Sequence, residues 1–101
     1  MPRVTPRAGV EAMTRRLCQD LEVPERFWLT RREATTDEKL AAAVIVGIAR
    51  RRWELGCEDM KDAIGMACPR YYVGKRLWEA MTIDERELWW QILQPQLEVA
   101  K

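Results

Sequence analysis

The side chains best suited to recognition chemistry form a basic and aromatic group at residues 70–76. Arginine and lysine can pair with phosphate or guanine, and tyrosine can donate a hydrogen bond to phosphate. A helix that enters the DNA major groove displays such side chains opposite the face that packs on a supporting helix. The sequence therefore predicts DNA contacts from Arg70, Tyr71, Lys75 and Arg76.

A second basic group, Arg50 to Arg52, lies upstream and ends an apolar segment. Arg50 and Arg51 are candidates for additional DNA contacts. The alternative is that the triplet complements the negative end of a helix dipole and binds nothing. Both interpretations stay open from the sequence alone.

Catalytic and metal-dependent functions find little support in the composition. Histidine is absent, which removes the most frequent general base and metal ligand. Cys18, Cys57 and Cys68 lack the Cys-x-x-Cys spacing of a zinc site, and no base is evident to activate them. We expect three buried thiols in a reducing compartment, no enzymatic activity, and neither a metal nor a cofactor.

Charge is divided unevenly along the chain, although the net charge is only +1. Residues 1–76 contain 15 basic and 11 acidic residues, whereas residues 77–101 contain 2 and 5. The acidic segment carries the adjacent Trp89 and Trp90, which lie about 100° apart on a helix. One ring could therefore meet the core and the other a partner, or both could be covered by the domain itself.

Helical signals cover most of the sequence. Thr5 with Pro6, Thr35 with Glu38, and Thr82 with Glu85 resemble helix N-terminal caps. Gly56 and Pro95 are expected to end the helices that precede them. The predicted core-facing stripes are Val10, Met13, Leu17 and Leu21; Leu40, Ala41, Val44, Ile45, Ile48, Ala49 and Trp53; Val73, Leu77 and Met81; and Leu88, Trp89, Ile92 and Leu93.

These elements predict an all-α fold, a compact bundle of about five helices that contains a helix-turn-helix at about 58–81 and an acidic helix at 83–94. The single helical domain would span 8–101 after a basic flexible arm at 1–7. The longest apolar run, Leu40 to Ala49, is half of the roughly 20 residues that span a bilayer. We expect no membrane association and a cytoplasmic, nucleoid-associated location.

A family resemblance rests on Ile48-Ala49-Arg50, Ile64-Gly65 and Tyr71-Tyr72-Val73. With these residues, the stretch from Ile48 to Met81 resembles the C-terminal DNA-binding domain of the bacterial replication initiator DnaA. The family's Asp-His pair is absent, so its target specificity is not implied. The small chain also resembles the DnaA-like part of gene-transfer-agent activators, which implies transcription activation with a partner protein or RNA polymerase.

The resulting prediction is a sequence-specific double-stranded DNA-binding regulator of transcription, acting with a partner and phage-like or gene-transfer-agent-like in type. The alternative is a small phage-type inhibitor or adaptor that binds protein and no nucleic acid, using Trp89 and Trp90. Salt dependence of duplex binding distinguishes these hypotheses, because neutralising phosphates releases counterions.

Overall fold

The computed structural model describes residues 5–29 and 33–98 as an all-helical unit, which confirms the predicted fold class. Within those ranges the chain forms five α-helices and one short 3₁₀-helix, and no strand. The first four residues of the predicted arm lie outside the described part, and Pro6 and Arg7 already belong to the first helix. The helices are α1 (Pro6–Leu21), α2 (Thr36–Trp53), α3 (Cys57–Ile64), α4 (Cys68–Ala80) and α5 (Ile83–Glu98), with the 3₁₀-helix at Phe27–Leu29.

Threonine side chains cap three of the helices, as the sequence predicts. The Thr5 hydroxyl accepts from the backbone N–H of Ala8 at 3.1 Å. Before α2, Thr35 accepts from the Glu38 N–H at 3.2 Å, and the Glu38 carboxylate accepts from the Thr35 N–H at 2.9 Å. Thr82 accepts from the Glu85 N–H at 3.1 Å before α5. These bonds satisfy N–H groups that the first turn of a helix leaves unpaired.

Two predicted helix ends are wrong. α2 is closed by Glu54, which adopts the left-handed conformation at φ 56°. Gly56 instead precedes α3, where its N–H donates to the Asp59 carboxylate at 2.9 Å. Pro95 lies inside α5 because Leu93 and Leu97, on either side of it, are fully buried. Their burial outweighs the hydrogen bond that proline cannot donate.

α2 is the central helix, and nine consecutive residues, 41–49, are buried in it. α1 and α4 pack against α2, α5 packs mainly on α1, and α3 fits between α1 and α4. This agrees with the broad apolar surface expected for α2. Despite that surface, no helix in the described part of the chain has the length and apolar character needed to cross a membrane.

The connector after α1 closes one end of the core. Phe27 and Trp28 are buried there, whereas Leu29 is exposed. The Trp28 indole N–H donates to the Ile64 carbonyl at 3.1 Å. This bond satisfies a carbonyl at the end of α3 and fixes that end against the connector.

Candidate functional site

The inner face of α4 differs from the predicted one. Tyr71, Gly74 and Trp78 are buried against the domain, whereas Val73 and Leu77 are 40% and 36% exposed. The predicted stripe through Val73, Leu77 and Met81 is therefore wrong as the core-facing side. The helix is rotated about its axis relative to that expectation, and the rotation decides which side chains face solvent.

Close contact between α2 and α4 explains this rotation. A Cβ placed on Gly47 would overlap the Trp78 ring, and one placed on Gly74 would lie 2.9 Å from the Ala42 carbonyl oxygen. The indole of Trp78 therefore occupies the space that Gly47 leaves open. A leucine or valine side chain would fill less of this space than the indole does. The indole therefore buries more area and makes more contact there, because both increase with side-chain size.

Tyr71 is part of the core and is not a surface donor. Its ring is 4% exposed, and its hydroxyl donates to the Leu55 carbonyl at 3.1 Å. Burial raises the pKa of the Tyr71 phenol. The expected DNA contact from this side chain is wrong in its placement, since its one donor is already used inside the domain.

The outer face of α4 carries a different set of side chains from the one predicted. Tyr72, Val73, Arg76 and Leu77 are exposed there. The Tyr72 ring meets the Tyr71 ring edge-on at 5.2 Å between centroids, which orients it on the surface. We call Tyr72, Val73, Arg76 and Leu77 the outer face of α4. Of the predicted contact residues, Arg76 alone belongs to it, and Arg70 is half-buried at the helix start.

A tight turn joins α3 and α4, close to the predicted position. Three residues separate Ile64 from Cys68. Gly65 adopts φ 74° and its N–H donates to the Lys61 carbonyl at 2.9 Å. Met66, the next residue, is fully buried. A short glycine-containing turn between two helices is a feature of helix-turn-helix units, although helical hairpins in general share it.

A polar cleft of about 560 Å³ lies between α2, α4 and α5. It brings together Arg50 and Arg51 at the end of α2 with Lys75 of α4, three of the residues predicted as DNA contacts. Four cations and two carboxylates line it, a local balance of +2. Its lining residues are Gly47, Arg50, Arg51, Glu54, Lys75, Trp78, Glu79 and Arg86.

The cations of this cleft differ in how firmly they are held. Arg51 pairs with Glu87 through contacts of 2.6 and 3.5 Å, and its guanidinium lies 4.1 Å from the centre of the Trp90 ring. Arg50 approaches Glu79 only to 3.9 Å. Lys75 has no ion-pair partner among the described residues. Exposed pairs of this type contribute at most about 1 kcal/mol, so an incoming anion can replace the Glu79 contact at small cost.

Arg86 is a cleft residue that sequence reasoning missed. It lies on α5, within the segment 77–101 that contains five acidic residues and only two basic ones. Its Nε is buried and has no hydrogen-bond partner among the described residues. A buried N–H of a cation is costly without an acceptor, so the cleft wall favours negative charge nearby.

Trp89 and Trp90 are both half-buried and pack against the core. They flank Leu93, which lies at the centre of the inner face of α5. The expected core residue Leu88 is instead 57% exposed. Two of the expected buried thiols, Cys57 and Cys68, are half-exposed, and only Cys18 is buried.

Comparison with protein-family models, curated proteins and solved structures finds no match to this chain. The resemblance to the DnaA DNA-binding domain therefore stays a prediction. The candidate binding surfaces of the chain are the outer face of α4 and the cleft.

Proposed function

We propose that the chain binds double-stranded DNA by placing the outer face of α4 in the major groove. The observation that carries the proposal is the combination of a glycine turn at Gly65 with a following helix whose outer face is uncovered. α4 has 13 residues and is therefore about 20 Å long. The major groove is about 12 Å wide, enough to admit one α-helix.

The outer face supplies chemistry for base recognition. Arg76 can pair with the O6 and N7 acceptors of guanine, and Val73 can contact a thymine methyl group. Tyr72 can donate to a phosphate or a base acceptor if its hydroxyl gives up the exposed contact with the Cys57 sulfur. The proposal thus assigns base contacts to Tyr72, Val73 and Arg76, in place of the Arg70 and Tyr71 contacts expected from the sequence.

Phosphate contacts come from the sides of the same helix. Lys75 is one position from Arg76 and so lies about 100° around the helix, next to Arg50 in the cleft. Arg70 lies on the opposite side of α4. A helix in a groove has a phosphate chain along each side, and cations on both sides fix its depth and register. With a net charge of only +1, affinity depends on these local groups.

Regulation of transcription is the role we propose for such binding. The acidic helix α5 presents Ile83 and Leu88, which are 70% and 57% exposed. Exposed apolar side chains on a small domain suit contact with a second protein. A DNA-bound domain with that surface would act together with a regulatory protein or RNA polymerase.

A salt titration of duplex binding tests this proposal. The protein is added to a fluorescent random duplex, and anisotropy is measured at several salt concentrations. We expect affinity to fall steeply with salt, and Lys75→Ala to reduce the logarithmic slope by about one unit, because Lys75 is the proposed phosphate contact. Lys39→Ala is the matched control, because Lys39 is an exposed cation at the other end of α2.

The control variant should bind as the wild type does. Circular dichroism at each step verifies that the variants remain folded. Absence of duplex binding at low salt, or equal loss for Lys39→Ala and Lys75→Ala, contradicts the proposal.

The second candidate function is a protein-binding adaptor without nucleic-acid contacts. It is favoured by the exposure of Leu77, Ile83 and Leu88 around the α4–α5 turn. In that case Ile83→Asp would abolish association with the partner. Titrations with duplex would show no binding. A wild-type chain that binds duplex with a steep salt dependence excludes this alternative.

A further inference from the structure

Two thiols and a carboxylate converge at the start of α3 and α4. Cys57 is the first residue of α3, Glu58 follows it, and Cys68 is the first residue of α4. One ligand atom from each of the three residues lies within 4.8 Å of the other two. Ten residues separate the two cysteines, so the sequence shows none of the short spacings that identify a metal site.

One separation between ligand atoms of this cluster matches that of a tetrahedral metal site, and the others are at most 4.8 Å. Zinc binds thiolate sulfur at about 2.3 Å and carboxylate oxygen at about 2.0 Å, so neighbouring ligands are about 3.5 to 3.8 Å apart. The Cys68 sulfur lies 3.7 Å from the Glu58 carboxylate oxygen. The Tyr72 hydroxyl lies 3.7 Å from the Cys57 sulfur and donates to it from the open side of the cluster.

The two thiols of the cluster also interact with each other and with their neighbours. Hydrogen bonds from Cys68 and Tyr72 lower the pKa of Cys57. Hydrogen bonding with Cys57, burial and the charge of Glu58 raise the pKa of Cys68 to about 11. These shifts reflect how close the two sulfurs and the carboxylate lie to one another.

We propose that Cys57, Cys68 and Glu58 form a binding site for a thiophilic divalent cation such as Zn²⁺. Three protein ligands leave the fourth tetrahedral position to water. The bound cation would take the place of the Cys68 proton, which passes to solvent, so affinity should increase with pH. Such a site would tie the first turn of α3 to the first turn of α4, independently of whether the chain binds DNA.

Glu58 distinguishes this proposal from a disulfide between the same cysteines. A disulfide would join only the two sulfurs, and the carboxylate would take no part in it. For a cation the same carboxylate is a third ligand. We therefore favour the metal site and treat disulfide formation as an outcome of the experiment.

The experiment titrates the full chain, treated with a chelator and kept reduced, with Cd²⁺ and separately with Zn²⁺ in competition with a chromophoric chelator. Cadmium reports thiolate ligands through an ultraviolet charge-transfer band. We expect one equivalent to bind, with the band of two thiolates. Cys57→Ser or Cys68→Ser should halve the band and weaken binding by at least roughly 100-fold.

Glu58→Gln provides a test that keeps both cysteines. It should retain the full band while weakening binding at least roughly 10-fold, the lower limit for loss of even an indirect partner of a metal site. Asp62→Asn removes an exposed acid of the same helix outside the cluster and should bind as the wild type does. The proposal is overturned if the reduced wild type binds neither metal, including the case in which the thiols only form a disulfide. It is equally overturned if Glu58→Gln or Cys68→Ser binds with unchanged affinity.

Discussion

The inner face of α4 packs against the domain, whereas its outer face is exposed to solvent. The inner face consists of Tyr71, Gly74 and Trp78, and its position is set by close contact with α2. The outer face is exposed and contributes few contacts to the fold, so its side chains are free to meet a ligand. Tyr71 and Tyr72 are adjacent in sequence and therefore lie about 100° apart around the helix, one on each face. The inner side of α4 thus stabilises the fold, and the proposed DNA contacts lie on the outer side.

The largest expected difference between the faces comes from Trp78 and its neighbour Leu77. Trp78→Ala removes a buried indole and should lower the free energy of unfolding by about 3 to 5 kcal/mol. Leu77→Ala, at a 36% exposed position, should cost less than about 1 kcal/mol. Urea denaturation of both variants measures the difference. Equal losses would place both side chains in the core and contradict the assigned rotation.

Gly74 and Val73 give the next largest contrast. A methyl group at Gly74 meets the Ala42 carbonyl oxygen, a backbone atom that cannot rotate away. Gly74→Ala should therefore cost about 1 to 3 kcal/mol, even though alanine favours helix formation. Val73→Ala should change stability by less than about 0.5 kcal/mol. Thermal unfolding of both variants measures the difference in stability. A stabilised Gly74→Ala variant would mean that α2 and α4 lie further apart than in the structure.

How far the sequence predicts the fold depends on the type of interaction. The caps at Thr5, Thr35 and Thr82 are local, involving residues three positions apart, and the sequence reveals them. The rotation of α4 is a property of two helices. It depends on Gly47 being opposite Trp78, and no periodicity within α4 contains that information.

The candidate site was predictable to a similar extent. The residue types and the region of α4 could be read from the chain, and so could the cations Arg50 and Lys75. Their grouping with Arg86 could not, because the cleft joins three helices that are distant in sequence. The placement of Tyr71 was missed because a tyrosine can be either a core ring or a surface donor.

The two adjacent tyrosines provide a smaller contrast. Tyr71→Phe leaves the half-buried Leu55 carbonyl without its donor and should cost about 0.5 to 1.5 kcal/mol. Tyr72→Phe should leave stability nearly unchanged, because its hydroxyl contacts only the half-exposed Cys57 sulfur. Chemical denaturation of both variants measures these values. A larger loss at Tyr72 would show that the outer face contributes to the fold.

The smallest expected effect on stability is that of Arg76→Ala, within about 0.5 kcal/mol of the wild type. The same change should weaken duplex binding by about 1 to 3 kcal/mol if Arg76 contacts a guanine in the bound site. Parallel unfolding and anisotropy measurements separate the two quantities. A variant that loses stability without losing affinity would assign Arg76 to the fold.

The central claim is that the outer face of α4 is the surface that meets DNA. Nuclear magnetic resonance of the isotope-labelled chain, titrated with a short duplex, tests it most directly. We predict that amide shifts change first at Tyr72, Val73 and Arg76, with smaller changes at Lys75 and in the turn at 65–67. Changes confined to α5 around Ile83 and Leu88, or no changes at low salt, would contradict the claim.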